Sequence, residues 1–181
     1  MLKNKNKSIL SNVINLQDDT PVVVFGPRME DITEEDVPPF YVTLKIHDLL
    51  LHNTMIDSGA SHNLIPKEVM DNLGLDITRP YTNLFSFDSR NVRCLGMIKD
   101  PVVSLHQILR KEIVMDIVVV DVPTKFGMLL SRSWVAKLKG TTQMDMSYAI
   151  IPVFGVQRRL YKENRLKYMI SSKECPENHP I

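Results

Sequence analysis

Residues 55–61 of the chain read Met55-Ile56-Asp57-Ser58-Gly59-Ala60-Ser61. An apolar strand therefore leads an aspartate directly into a turn made of a hydroxyl residue, a glycine and an alanine. A carboxylate at a strand end is costly to bury unless donors converge on it, and Gly59 lets backbone N–H groups approach because it has no Cβ. The stretch predicts an aspartate positioned for chemistry, with a simple Asx-type turn as the alternative interpretation.

The regions that flank this turn are typical of a small, mostly-β domain. Short runs of apolar and β-branched residues recur at the spacing expected for strands. Pro66 and Gly74 bracket one short predicted helix, with proline in its first turn and glycine beyond its end. The predicted strands cover residues 41–46, 49–56, 84–87, 92–97, 102–105, 112–121 and 149–154.

The composition excludes several classes of protein. The 181 residues are 44% hydrophobic and 24% charged, as in one soluble globular domain. A net charge of +1 provides no basic surplus, so nucleic acid is not predicted as a partner. The most apolar stretch, residues 113–122, contains Asp116 and Asp121, so no membrane span is predicted. Two distant cysteines and the lack of a signal-peptide core favour an intracellular, cytoplasmic location.

Glycine and histidine spacing exclude the common cofactor and metal motifs. The seven glycines are never closer than thirteen residues, whereas the dinucleotide fingerprint, the P-loop and the nucleophile elbow all need closely spaced glycines. The five histidines form no zinc-binding helix motif, and the chain has no Cys-x-x-Cys. We therefore expect no metal and no cofactor.

Three segments are predicted along the chain. Residues 1–37 are rich in Asn, Lys, Asp and Glu and are expected to form a flexible leader. Residues 38–155 carry the strand pattern and form the folded domain. Residues 156–181 include a basic run, and we expect a linker or a helix there.

Three elements of this sequence resemble the aspartic peptidases of the retroviral type. These elements are Asp57-Ser58-Gly59-Ala60, Phe126-Gly127-Met128-Leu129-Leu130 and the wider stretch FGMLLSRSW…QMDMSYAIIPVF. The likeness is strongest to the protease segment of plant gypsy-type retrotransposon gag-pol polyproteins, and it extends from about residue 38 to residue 154. It implies a mostly-β, retropepsin-like half-barrel with a flap hairpin at residues 84–96 and one or two short helices.

The resemblance also implies a role for each candidate site residue. The catalytic residues would be Asp57, Ser58 and Gly59. The substrate-binding residues would be Ala60 and Ser61 in the turn and, at the flap tip, Ser89, Arg90 and Asn91. The strand that supports the turn, and its continuation, would comprise Gly127, Leu129, Leu130, Ser131 and Arg132.

Aspartic proteolysis needs two carboxylates on one water molecule, and the chain offers one Asp-Ser-Gly. The second Asp57 is therefore expected from a second subunit, which predicts a homodimer. Asp88-Ser89-Arg90 is the nearest second copy, and arginine in place of glycine disqualifies it. The expected function is an endopeptidase that cleaves a retroelement polyprotein, with an extended peptide as substrate.

Departures from the family pattern keep an alternative open. Ser131 stands where the family usually has glycine, Ser61 stands where it often has an acidic residue, and the expected flap tip has no glycine. These departures motivate a second hypothesis, a decayed or domesticated protease fold that serves as a non-catalytic binding or dimerisation module. A third hypothesis, an RNA-associated segment, rests on the basic run alone. His62 is interpreted first as a surface or hydrogen-bonding residue and second as a residue that tunes the aspartate.

Overall fold

The computed structural model describes residues 38–82 and 92–172. This part of the chain contains two short helices and twelve strands. The helices are α1 (Lys67–Asn72) and α2 (Arg132–Leu138). The strands are β1 (Phe40–Ile46), β2 (Leu49–Ile56), β3 (Asn63–Pro66), β4 (Cys94–Ile98), β5 (Val102–Leu105), β6 (Ile108–Val114), β7 (Ile117–Val120), β8 (Leu129–Leu130), β9 (Thr141–Thr142), β10 (Tyr148–Val153), β11 (Val156–Tyr161) and β12 (Ile170–Ser172).

Nine of the described strands form one curled sheet. Its order is β4-β7-β3-β8-β2-β1-β5-β6, and β12 pairs with β2 outside this path. The remaining strands form a second sheet in the order β11-β10-β9. Most neighbours are antiparallel, but β2 pairs parallel with β8 and β3 pairs parallel with β7. The prediction of a mostly-β half-barrel with one or two short helices is confirmed.

The sheet curls around an apolar core that both helices help to close. Strand β1 is buried along almost its whole length, as is β7. Burial on both faces explains why β7 is a continuous apolar run rather than a strict alternation, whereas β1 also carries Thr43 and Lys45. The largest fully buried side chains are those of Trp134, Phe40, Leu44, Ile46, Leu51, Ile65, Leu105, Met115, Ile117, Met128, Leu130 and Ile151.

The predicted helix after Pro66 is confirmed, and one predicted strand is divided. Pro66 has extended backbone angles and caps α1, whose buried face carries Val69. The apolar run over residues 112–121 is two strands rather than one. Strand β6 ends at residue 114 with its pairing to β5, and β7 begins at residue 117, where pairing to β3 and β4 starts. Between them, the carboxylate of Asp116 contacts Lys99 Nζ at 2.7 Å.

The linker or helix expected at residues 156–181 is wrong for the residues that the structure describes. Residues 156–161 form β11, which pairs with β10 in full register, and residues 170–172 form β12 on the edge of β2. The physical reason is a buried apolar contact at Leu160, which is 1% exposed opposite Ala149 and fixes the strand, while Arg158 and Arg159 beside it stay exposed. The limits of the folded domain therefore extend beyond residue 155.

Three predictions fall outside the described residues. They are the leader at residues 1–37, the strand at residues 84–87, and the expected flap tip with Ser89, Arg90 and Asn91. The last part of the expected flap hairpin is strand β4. Within residues 38–82 and 92–172, neither helix has the length and apolar character needed to cross a bilayer.

Candidate active site

The chain passes from β2 to β3 around the short strand β8, which lies between them. Met55 and Ile56 of β2 pair parallel with Leu129 and Leu130, and Leu64 of β3 pairs antiparallel with Leu129. Backbone hydrogen bonds continue this pairing to the end of β2, where Asp57 N donates to Leu130 O at 2.9 Å. Residues 57–62, here called the aspartate turn, therefore follow a strand end that is hydrogen-bonded to the apolar strand β8, and this pairing fixes their position.

Within the aspartate turn, the carboxylate of Asp57 is held by the backbone. Gly59 N donates to Asp57 Oδ1 at 2.9 Å, and Ala60 N donates to Asp57 O at 3.1 Å. A Cβ on residue 59 would lie 3.2 Å from Asp57 Oδ1, so glycine leaves room for this contact. Asp57, Ser58 and Gly59 are all exposed in the single chain. The local geometry is that of an Asx turn, and it presents the carboxylate to solvent.

Gly127 lies where the supporting strand approaches β2 most closely. Its N–H donates to Asn53 O at 2.9 Å. A Cβ at this position would lie 2.1 Å from His52 O, which no side chain could tolerate without moving the backbone. The glycine that the sequence suggested for the supporting strand is therefore required by close packing of two backbones.

Ser131 follows the supporting strand and caps α2. Its φ of −77° and ψ of 171° are ordinary extended values, so the backbone does not demand the glycine that the family usually has here. Its N–H donates to Asn63 Oδ1 at 2.8 Å. Its Oγ is buried and has no hydrogen-bond partner in the described part of the chain. The substitution of serine for glycine is accommodated, and it leaves one buried hydroxyl unpaired.

Asn63 is a site residue that sequence reasoning missed. The side chain is 7% exposed; its Oδ1 accepts from Ser131 N, and its Nδ2 donates to Asp116 O at 2.9 Å. It thereby links the end of the aspartate turn to the start of α2. The available signal was an amide residue that opens a short buried strand, where a polar group needs a partner.

Arg132 is joined to the aspartate turn through its backbone. Its N–H donates to Ala60 O at 3.1 Å, which anchors the first residue of α2 to the turn. The Arg132 side chain is exposed, and within residues 38–82 and 92–172 it forms no ion pair. The lack of an ion pair agrees with the serine at position 61, because serine carries no negative charge that could pair with Arg132.

His62 is bonded away from the aspartate. Its Nδ1 lies 2.8 Å from Ser61 Oγ, and its Nε2 lies 2.7 Å from Tyr81 Oη. Tyr81 is one residue from the end of the described range 38–82, and its ring lies 5.6 Å from the imidazole. The histidine therefore links the aspartate turn to the segment leading to the expected flap, in agreement with the hydrogen-bonding interpretation. The fold brings His62 and Tyr81 together, although they are 19 residues apart.

An apolar cavity of about 250 Å³ begins beside the aspartate turn. Ser58 lies at its edge, and Phe40 and Ile56 contribute to one wall. The other wall comes from the end of α2 and from the sheet of β9, β10 and β11. Among the described residues, no group of three or more His, Cys, Asp or Glu side chains is arranged to hold a metal ion.

The fold has solved counterparts, although the sequence comparisons found none. No family model and no curated protein matches the chain. The retroviral protease-like domain of Ddi1 from Leishmania major superposes with a TM-score of 0.51 at 15% identity, over 67% of this chain and 92% of that domain. A retropepsin-like aspartic protease from Rickettsia conorii is 20% identical over 62% of this chain and 89% of its own, with a TM-score of 0.45. An Asp-Ser-Gly-Ala turn over a crossing apolar strand, within a sheet that superposes on the first of these domains, gives the chain a retropepsin-like fold.

Proposed function

We propose that this chain is an aspartic endopeptidase of the retropepsin type, which acts as a homodimer with one Asp57 from each subunit. One observation carries the proposal. The Asp57 carboxylate is exposed at the end of β2, oriented by Gly59 N and by the crossing strand β8. The backbone fixes this carboxylate while leaving it exposed to solvent. A carboxylate held in this way can contact a second carboxylate and a water molecule, as the proposed chemistry requires.

The chemistry requires that the two carboxyl groups share one proton. Two like charges in contact cannot both ionise, so one group is a carboxylate while its neighbour is protonated. The carboxylate takes a proton from the water, whose oxygen attacks the scissile carbonyl carbon. The protonated group hydrogen-bonds the carbonyl oxygen. A proton then passes to the leaving nitrogen, the C–N bond breaks, and the pair again holds one proton.

A second carboxylate within the same chain is disfavoured by the positions of the other candidates. Asp116 is bonded to Lys99 Nζ at 2.7 Å, and Asp121 lies 3.6 Å from an Arg93 nitrogen. Asp48 immediately precedes the eight-residue strand β2 and Asp57 immediately follows it, which separates them by up to about 30 Å along the strand. Asp88 lies outside the described residues. The dyad is therefore proposed to form between two subunits.

The proposed substrate is an extended polypeptide, and in a plant gypsy-type retroelement it would be the gag-pol polyprotein. The peptide would lie against the aspartate turn at Ala60 and Ser61. The flap-tip residues Ser89, Arg90 and Asn91 are proposed to cover it. Main-chain hydrogen bonds would hold such a strand, with apolar pockets for alternate side chains.

The two departures in the turn region do not favour the non-catalytic alternative. Ser131 has backbone angles open to any residue, and its N–H is bonded to Asn63. Ser61 is bonded to His62. Ser61 thus has a hydrogen-bond partner and Ser131 fits its backbone, although its buried Oγ is unpaired among the described residues, and Gly59 retains the contact that orients Asp57.

The test is a peptidase assay on the purified full chain with an unstructured polypeptide across a pH series. We expect cleavage that a statine-type transition-state inhibitor blocks, and cleavage should decline as the pH rises and the shared proton is lost. Asp57→Asn should abolish cleavage. The matched control is Asp48→Asn, which removes an exposed aspartate at the other end of the same strand and should leave the rate unchanged. Full activity in Asp57→Asn would refute the proposal.

A further inference from the structure

A long groove, separate from the aspartate turn, lies between strand β6 and the β10–β11 hairpin. Two adjoining cavities of about 550 Å³ and 570 Å³ make up this groove, and both include Arg110, Val153 and Phe154. None of the candidate catalytic or supporting residues lines either cavity. We call it the β6–hairpin groove.

The β6–hairpin groove is strongly basic. Its lining contains one acidic side chain, Glu112, and five basic ones: Arg110, Lys111, Lys137, Arg158 and Arg159. The chain as a whole has a net charge of only +1, so this concentration of positive charge is local. A cleft lined by charges of one sign raises the local concentration of ligands of the opposite sign. The groove therefore favours an anionic ligand.

The groove is also rich in exposed apolar side chains. Phe154 is 82% exposed, and Val156, Val114 and Leu109 are each more than two-fifths exposed. Phe154 has a φ of 48°, a left-handed conformation that is unfavourable for a bulky residue, and it lies 5.8 Å below the Arg110 guanidinium. In the single chain, the contact with Arg110 leaves most of the Phe154 side chain exposed and open to a ligand. These side chains indicate a ligand that has apolar groups between its charges.

Strand β6 offers main-chain groups along one wall. In the described part of the chain it ends the sheet order, and its strand partner is β5. At one end of the groove, the Gln107 amide already pairs with the backbone of β11, donating to Tyr161 O at 2.8 Å and accepting from Tyr161 N at 2.9 Å. At the other end, Lys137 Nζ donates to Val114 O at 2.6 Å. Side chains thus bond main-chain groups at the two ends of the groove, and the stretch of β6 between them is where an added strand would pair.

We propose that the β6–hairpin groove binds an extended acidic polypeptide segment in which apolar residues separate the carboxylates. The carboxylates would pair with Arg110 and Arg158, the apolar side chains would cover Phe154 and Val156, and the backbone would add to β6. Single-stranded nucleic acid fits less well, because it needs several aromatic faces for its bases whereas most of the exposed apolar residues here are aliphatic. This binding does not depend on the proposed peptidase activity.

The test is fluorescence anisotropy with the full chain and a labelled peptide of about ten residues, in which glutamate alternates with valine or threonine. We expect saturable binding at about 50 mM salt that weakens by about 300 mM salt, because screening reduces the attraction between charges. The charge-reversal variant Arg110→Glu/Arg158→Glu should lower the affinity at least about tenfold. The matched control, Lys125→Glu/Lys167→Glu, reverses two exposed charges outside the groove and should change it less than about twofold.

Hydrogen exchange provides a second measurement that does not depend on the variants. Peptide binding should slow amide exchange in β6 and at the β10–β11 turn, and mass spectrometry of the peptide should show that it stays intact. Equal loss of affinity in both charge-reversal variants would overturn the proposal, as would unchanged exchange in β6. Tighter binding of a single-stranded oligonucleotide with the same number of charges would also overturn it in favour of nucleic acid.

Discussion

The aspartate turn and the C-terminal segment, residues 162–172, both lie against β2, but they are held by different contacts. The turn is exposed, and hydrogen bonds of its own backbone, within the turn and to β8, fix it. The C-terminal segment pairs with β2 through the backbone of β12, and it is also held by buried polar side chains of β2. His52 Nε2 lies 2.7 Å from Ser171 Oγ, and Asn53 donates to Leu166 O and accepts from Leu166 N. We therefore expect side-chain substitutions in the aspartate turn to change the proposed activity. Substitutions of the β2 side chains that hold the C-terminal segment should change stability.

A linked dimer tests the first half of this comparison, namely that substitution in the aspartate turn changes activity and not stability. It has the largest expected effect. One wild-type copy joined to one Asp57→Asn copy should lose cleavage by about 10²-fold or more, since the dyad then lacks one acid–base group. Its melting temperature should stay within about 2 °C of the wild-type linked dimer, because exposed substitutions cost little. The measurements are initial rates and thermal unfolding.

Dilution supplies the control for that experiment. The unlinked wild-type chain should lose specific activity below its dimer dissociation constant, whereas the linked wild-type dimer should keep it, because the second copy is held at high effective concentration. Constant activity from a species that sedimentation shows to be monomeric would contradict the dyad between subunits. Unfolding of the linked variant would instead show that Asp57 is required for folding, and the comparison between the two regions would then be wrong.

Asn53→Ala tests the second half of the comparison, namely that buried side chains of β2 stabilise the C-terminal segment. Asn53 is 2% exposed and has a φ of 52°, and its side chain satisfies both the N–H and the C=O of Leu166. Alanine would leave these backbone groups unpaired and tolerates the left-handed conformation less well. We expect the free energy of unfolding to fall by about 2–4 kcal/mol. Urea denaturation measures this, with the exposed Asn72→Ala as control. A loss of under about 0.5 kcal/mol would show that the segment is held by something else.

The same comparison explains what the sequence could predict. The aspartate turn, Gly127 and the short helix at Pro66 depend on residues that are neighbours in the sequence or on one recognisable motif. The contacts of the C-terminal segment join residues more than 110 positions apart, and no local period signals that His52 and Asn53 will receive it. From the sequence alone, the basic run therefore favours a linker or a helix.

Asn63 shows the same limit inside the candidate site. It is adjacent to the turn in sequence, but both of its partners come from distant segments. The division of residues 112–121 into two strands is similar, since β6 pairs with β5 whereas β7 pairs with β3 and β4. The sequence predicts the fold class and the turn at Asp57. The polar contacts that position them required the tertiary structure.

The buried histidine of β2 makes stability depend on pH. His52 is 8% exposed, and burial, aided by the positive charge available to His106, lowers its pKa below the ordinary 6.5, although Glu163 opposes this. The unfolded chain therefore binds a proton at a higher pH than the folded chain. Stability from this group is present above about pH 6.5 and is lost as the pH falls.

We therefore expect acid to weaken the C-terminal segment under conditions in which the proposed dyad works best. The free energy of unfolding of the wild type should decrease between pH 7 and pH 5, and His52→Gln should flatten that decrease although it is less stable at pH 7. Denaturation at several pH values measures both effects. An equally steep decrease in His52→Gln would assign the pH dependence to other groups.

The smallest expected effect concerns Ser131, where the aspartate turn meets α2. Its Oγ is buried without a partner among the described residues, and such a group costs about 1 kcal/mol or more. Ser131→Ala should therefore raise the free energy of unfolding by about 1 kcal/mol. Ser131→Gly also removes the hydroxyl, but it adds unfolded-state entropy worth about 0.4–1 kcal/mol, so it should be near neutral. Neither variant should change kcat, because the N–H that bonds Asn63 remains in both. If glycine stabilises more than alanine, the backbone at this position is strained despite its extended angles, and serine here weakens the support of the turn.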